Sequence, residues 1–127
     1  MVKRTAMLFA GAVLGTVVAV GTASADDAAK GEKIFKSKCR TCHVIDNGSK
    51  HKVGPDLAGV LSRGAGKADG YKYSKNLAKA DFNWDEEKLD TWLSNPRKFI
   101  KGTKMTFKLR KEDDREHVIA YLMKVAK

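Results

Sequence analysis

The sequence predicts an all-α domain of four to five short helices joined by long loops. Apolar residues recur at helical spacing in several stretches, and little of the chain is β-patterned. The last stretch opens on Glu112, Asp113 and Asp114 and closes on Lys124 and Lys127, matching the polarity of a helix. Between the helical stretches lie segments rich in glycine, lysine and polar residues, long for so small a protein. A shell of this kind needs something besides side chains to fill its middle.

The chain has 127 residues, room for one small domain, and it does not begin like one. Lys3 and Arg4 precede a run from Ala6 to Val20 without a charged residue. Ala23-Ser24-Ala25 then offers the small-x-small pattern of a cleavage site, with Asp26-Asp27 beyond it. Residues 1–25 therefore read as a cleaved secretory signal peptide and residues 26–127 as the domain. The competing reading is a retained membrane anchor, since an apolar stretch of about 20 residues can just span a bilayer. Lys3 and Arg4 take two of the formal charges from +10, leaving +8 on the mature chain.

A first helix is expected from Asp27 to Lys38, with Gly31, Ile34, Phe35 and Lys38 at helical spacing. Val44 to Gly70 reads as loop, held by Pro55 and Leu57, and a short helix is expected from Ser74 to Ala80. Asn83 and Glu86 have the spacing of a capping box and open a helix carrying Leu89, Trp92 and Leu93, which ends before Asn95-Pro96. Pro96 starts a further turn through Phe99, and Ile100 to Leu109 is a loop containing Met105. The final helix shows Val118, Tyr121, Leu122 and Val125 as one stripe.

Only two cysteines are present, Cys39 and Cys42, too close to close a useful disulfide loop. Cys39-Arg40-Thr41-Cys42-His43 is a C-x-x-C-H sequence, the signal for c-type haem attachment. Thiols one helical turn apart can each add to a vinyl group on the same porphyrin edge, and the adjacent imidazole is delivered to the iron. A thioredoxin-like pair would want a βαβ context, which is missing. A structural zinc site needs four ligands, and only His51 and His117 remain as further candidates. A surface disulfide would not need the histidine. The expected cofactor is one covalent haem c, with His43 as an axial ligand.

The sixth ligand separates electron transfer from ligand chemistry. Met105 stands in a loop with Gly102, Thr103 and Lys104, where backbone can present a thioether, and is the expected ligand. Met123 and His117 lie in the last helix, and His51 follows His43 too closely to reach the other haem face, which makes a structural hydrogen bond its expected role. Thioether sulfur favours Fe(II), so a His/Met site raises the reduction potential.

Cys39–His43, His51-Lys-Val-Gly-Pro-Asp-Leu57, Trp84, Asn95-Pro-Arg-Lys-Phe99, Gly102-Thr-Lys-Met-Thr-Phe107 and Ile119-Ala-Tyr-Leu122 together resemble the class I c-type cytochromes, the family of mitochondrial cytochrome c and the soluble periplasmic bacterial cytochromes c. The resemblance runs from Gly31 through Tyr121. It implies the small class I cytochrome c fold, with His43 and Met105 as axial ligands and the Pro55 carbonyl receiving the free ring N–H of His43. It places Arg63, Tyr73, Ser74 and Trp84 around a buried haem propionate and Phe107 over the haem edge. Gly31 and Phe35 would cross the last helix near Tyr121. Three departures stand out: Lys101 where the pattern has proline, Trp92 in place of a tyrosine near the methionine, and Leu77 in place of an asparagine. They bear on the mobility of the methionine loop and on the Met–iron bond.

The +8 charge carries no nucleic-acid motif with it, and nucleic acid is excluded as a partner for an exported chain. Lys36, Lys38, Lys52, Lys104 and Lys108 flank the loops expected to border the haem, where they would steer the protein towards acidic docking faces. The expected function is a periplasmic, monomeric electron carrier, not an enzyme. By the resemblance its donor is a cytochrome bc-type complex, and its acceptor a terminal oxidase or a photosynthetic reaction centre. The alternatives are a peroxidase-like haem enzyme or ligand sensor, which needs an open sixth position, and an anchored oxidase subunit, which needs the leader retained.

Overall fold

The computed structural model describes residues 24–47 and 50–127, with Gly11, Gly15 and Thr16 before them. The leader expected over residues 1–25 lies almost wholly outside the described residues. Among the described residues there are five α-helices and no strand: α1 (Ala25–Ile34), α2 (Lys75–Ala78), α3 (Glu86–Ser94), α4 (Pro96–Phe99) and α5 (Glu112–Val125). None of these is long and apolar enough to cross a membrane.

The first helix starts two residues before the expected Asp27. Ser24 Oγ accepts the Asp27 N–H at 3.2 Å and Asp27 Oδ2 accepts the Ser24 N–H at 3.3 Å, a reciprocal cap that draws Ala25 and Asp26 into the first turn. At its far end α1 does not continue as an α-helix to Lys38. Phe35–Cys39 forms a π-helical turn, closed by the Arg40 N–H on the Phe35 carbonyl at 2.9 Å. A twelve-residue apolar pattern does not distinguish this wider closure from an ordinary turn.

α1 packs against α5. A Cβ at Gly31 would lie 1.9 Å from the His117 carbonyl oxygen and 2.8 Å from Tyr121 Cβ, so the crossing is possible only with glycine there. Phe35 is buried beside it, its ring 5.6 Å from that of Tyr121. α3 also packs against α5, pinned by Arg115, whose Nε donates to Asp90 at 2.6 Å and whose Nη1 donates to the Leu109 and Arg110 carbonyls.

The helix expected to be capped by Asn83 is capped by Asp85, whose Oδ1 accepts the Lys88 N–H at 2.8 Å. Trp84 accounts for the delay. It is buried against Phe82 and Trp92 at centroid distances of 5.1 and 5.2 Å, which holds residues 81–85 outside the helix. α4 begins at Pro96 under a cap from Asn95, as proline at a first helical position allows.

The loop between Val44 and Gly70 is fixed mainly by polar groups. Asp56, fully buried, accepts N–H bonds from Asp46 and Ala58 at 3.1 and 2.8 Å. His51 takes the structural role expected of it: Nε2 donates to the Asp69 carbonyl at 2.7 Å, and Nδ1 accepts the Asp56 N–H at 3.0 Å. Both ring nitrogens are thereby committed.

Candidate functional site

The helices and loops enclose a cavity of about 430 Å³, within the range of roughly 300–1,000 Å³ that cofactor sites occupy. Its walls include Trp84, Leu77, Leu93, Val118 and Leu122, all from the buried core. Cys39, Cys42, His43 and Met105 line the same space. The first three arrive together because the π-helical turn ends at Cys39 and a tight turn follows, with the Cys42 and His43 N–H groups both donating to the Cys39 carbonyl at 3.1 and 2.9 Å. Met105 comes from the loop after α4, sixty-two residues beyond His43.

His43 is held in one tautomer. Its Nδ1 lies 2.8 Å from the Pro55 carbonyl oxygen, which can only accept, so Nδ1 carries the proton and Nε2 keeps its lone pair. Burial holds its pKa below the ordinary imidazole value, partly opposed by the Pro55 bond, and a neutral ring is the form that binds a metal. Gly54 makes room for it: a Cβ there would stand 2.3 Å from His43 Cε1.

Both cysteines are free thiols and half-buried. Burial, with Cys42 beside it, pushes the Cys39 pKa up to about 11, so this is not the electropositive environment of a reactive thiolate. Among the described residues no group of three or more His, Cys, Asp or Glu side chains is placed to hold a metal ion.

The residues expected around a propionate are distributed unevenly. Tyr73, Ser74 and Trp84 line the cavity. The Tyr73 hydroxyl accepts the Ala68 N–H at 3.1 Å, and Ser74 Oγ caps α2 through the Leu77 N–H, so both hydroxyl protons remain available as donors. Arg63 is not a wall residue. Its Nη1 and Nη2 donate to the Ala58 and Asp56 carbonyls at 2.5 and 2.6 Å, while its Nε is buried with no partner among the described residues. An unsatisfied buried guanidinium nitrogen is costly, and an anionic group beside it would remove that cost.

Phe107 lines the cavity and is 39% exposed; Val53, at 75%, stands at the same opening, a residue that sequence reasoning passed over because no pattern marks a lone valine. Of the lysines expected there, Lys38 and Lys104 reach the cavity. Lys36 pairs with Glu32 at 2.6 Å, and Lys52 Nζ donates to the Arg40 carbonyl at 2.6 Å.

An apolar cavity, paired thiols beside a tautomer-locked imidazole and an orphaned buried cation suit a dianionic, iron-bearing macrocycle, which is the mark of a c-type haem protein. The family model for Cytochrome c matches residues 28–126. The chain is 46% identical to cytochrome c of Kluyveromyces lactis over 99 residues, covering 77% of this chain and 90% of that protein. It is 46% identical to cytochrome c of Nigella damascena over 101 residues, covering 79% and 91%. Against cytochrome c of Chlamydomonas reinhardtii the identity is 48% over 101 residues, covering 79% and 90%. The chain belongs to the cytochrome c family, whose cofactor is covalently attached haem c and whose members are haem electron carriers.

Proposed function

We propose that this protein shuttles single electrons between membrane-bound redox complexes and performs no substrate chemistry of its own. The observation that carries the proposal is the convergence of one imidazole, His43, and one thioether, Met105, on a single cavity. That pair would fill both axial positions and leave none open to a substrate. When bound, haem supplies the Fe(III)/Fe(II) couple. Cys39 and Cys42 anchor it through thioethers, and the Pro55 carbonyl orients His43. Met105 favours the reduced state, and Arg63, Tyr73, Ser74 and Trp84 serve the propionates. Leu77, Leu93, Val118 and Leu122 exclude water.

Charge is divided across the surface. Lys38 and Lys104 border the cavity, whereas Asp27, Glu86, Glu87, Asp90, Glu112 and Glu116 gather in a separate groove. Such a separation orients a protein in the field of an acidic partner, and it can raise encounter rates by about 10- to 1,000-fold without tight binding. We assign the donor role to a cytochrome bc-type complex and the acceptor role to a terminal oxidase or photosynthetic reaction centre, with the carrier a monomer in the periplasm. In stopped-flow oxidation by an acidic redox partner the rate is expected to fall steeply with salt, as the Debye length shortens to about 10 Å at 0.1 M. Lys38→Glu should slow that reaction several-fold while Lys127→Glu changes it little. Equal effects at the two positions would remove the docking face.

The export reading is part of the proposal. Intact mass of the purified protein is expected to show a chain beginning at Asp26. A species retaining residues 1–25 and sedimenting with membranes would make this an anchored cytochrome.

A further inference from the structure

Asn76 is the second residue of α2 and is exposed, yet its side chain is committed. Its Nδ2 donates to the Lys101 carbonyl at 2.6 Å, across twenty-five positions of chain. Lys101 opens the segment that brings Met105 to the cavity. The backbone there has little stiffness of its own. Gly102 follows at φ +80°, and the Thr103 N–H meets the Ile100 carbonyl only at 3.3 Å. Further on, the Lys104 ammonium donates to the Lys72 carbonyl and stands 5.7 Å from the centre of the Tyr71 ring. The methionine segment is thus tied at positions 101 and 104, both times to residues 71–76. The tie at 101 is made by one amide.

We propose that Asn76 is a positioning residue for Met105: its strap to the Lys101 carbonyl sets how often the methionine segment lifts from the cavity. The proposal rests on the reading that Met105 is an axial ligand. A neutral hydrogen bond shifts an equilibrium by a factor of about 2 to 10, and here the equilibrium is between a seated and a lifted thioether. A second route to the same stiffness is open at position 101. Ile100 already has the extended backbone, φ −129° and ψ 107°, that a following proline requires, and among the described residues the Lys101 N–H makes no backbone hydrogen bond. Lys101→Pro should therefore make the strap dispensable.

The test is titration of the oxidised holoprotein with imidazole, which enters only when the thioether leaves, followed by loss of the near-infrared Met–Fe(III) band. Asn76→Ala and Asn76→Asp, neither of which can donate to the carbonyl, should each tighten apparent imidazole binding by about 2- to 10-fold. In the Lys101→Pro background Asn76→Ala should have little effect. Unchanged imidazole binding in Asn76→Ala would overturn the proposal, as would an equal effect with and without proline, which marks a general loosening of the fold. Met105→Ala, measured alongside, separates the two readings. If it abolishes the band while the Asn76 variants bind as wild type, the strap proposal alone falls. If it leaves the band intact, Met105 is not the ligand and both fall.

Discussion

Replacing Met105 with alanine is expected to abolish the near-infrared Met–Fe(III) band, lower the reduction potential and open the iron to small ligands. Met105 lines the cavity and is half-buried, and the neighbouring Thr103 is 2% exposed, so its side chain is anchored inside while Met105 is presented. Removing a thioether that favours Fe(II) ten- to a thousandfold lowers the potential by about 60 to 180 mV, since each tenfold change in a one-electron equilibrium is about 59 mV. The fold should survive, because Met105 only borders the core cluster that Val118, Leu122 and Leu93 form. Potentiometry and the oxidised spectrum together decide it. Met123, partly buried against the same cluster, is the control. If Met123→Ala removed the band and Met105→Ala did not, the ligand assignment would move to α5.

Much of this site is legible in the sequence because its chemistry is local. Cys39, Cys42 and His43 sit within one turn, and their spacing is what points to covalent and axial roles for them. The place of Met105 on the cavity was legible for another reason: a thioether in a glycine-containing loop differs from one inside a helix, as Met123 is. α5 was also clear from its charge polarity; of the expected stripe Val118 and Leu122 are buried and Tyr121 half-buried, whereas Val125 is exposed and Ile119, Ala120 and Ala126 enter the core instead. What the sequence did not yield turned on packing and on competition between neighbouring hydrogen bonds. Asn83 and Asp85 are both good caps, and the choice between them was made by Trp84 seeking Phe82 and Trp92 in the core. The cap that starts α1 at Ala25 uses Ser24, which also belongs to the small-x-small pattern of the leader, so a chain beginning at Asp26 starts this helix without it. The π-helical turn at Phe35–Cys39 keeps an apolar pattern that an α-helix would share. Arg63 gives two of its three nitrogens to the carbonyls of its own loop, and its Nε alone is left for the propionate role that the resemblance implies.

Removing both cysteines, Cys39→Ala with Cys42→Ala, in a chain produced without a haem supply is expected to leave the polypeptide largely unfolded. The reason is volumetric. Leu77, Leu93, Val118 and Leu122 face a space of about 430 Å³, and without haem their apolar surfaces have no partner atoms across it. An ordinary domain is stable by only about 5–15 kcal/mol, so a core left open to this extent is a large fraction of what holds the chain folded. The walls cannot simply collapse, because α1 and α5 are already in contact at Gly31 and the His43 ring is fixed by Gly54 and Pro55. In small-angle scattering the radius of gyration should rise from about 13 Å in the wild-type holoprotein towards about 30 Å, with most helical circular dichroism lost. Acid-acetone extraction tests the covalent half of the argument. Wild-type haem should stay with the polypeptide, and Cys42→Ala should retain it through the single remaining thioether at Cys39. A compact, helical double variant would show that the shell holds itself up without its cofactor. Haem extracting freely from wild type would show that the paired thiols do not bond to it.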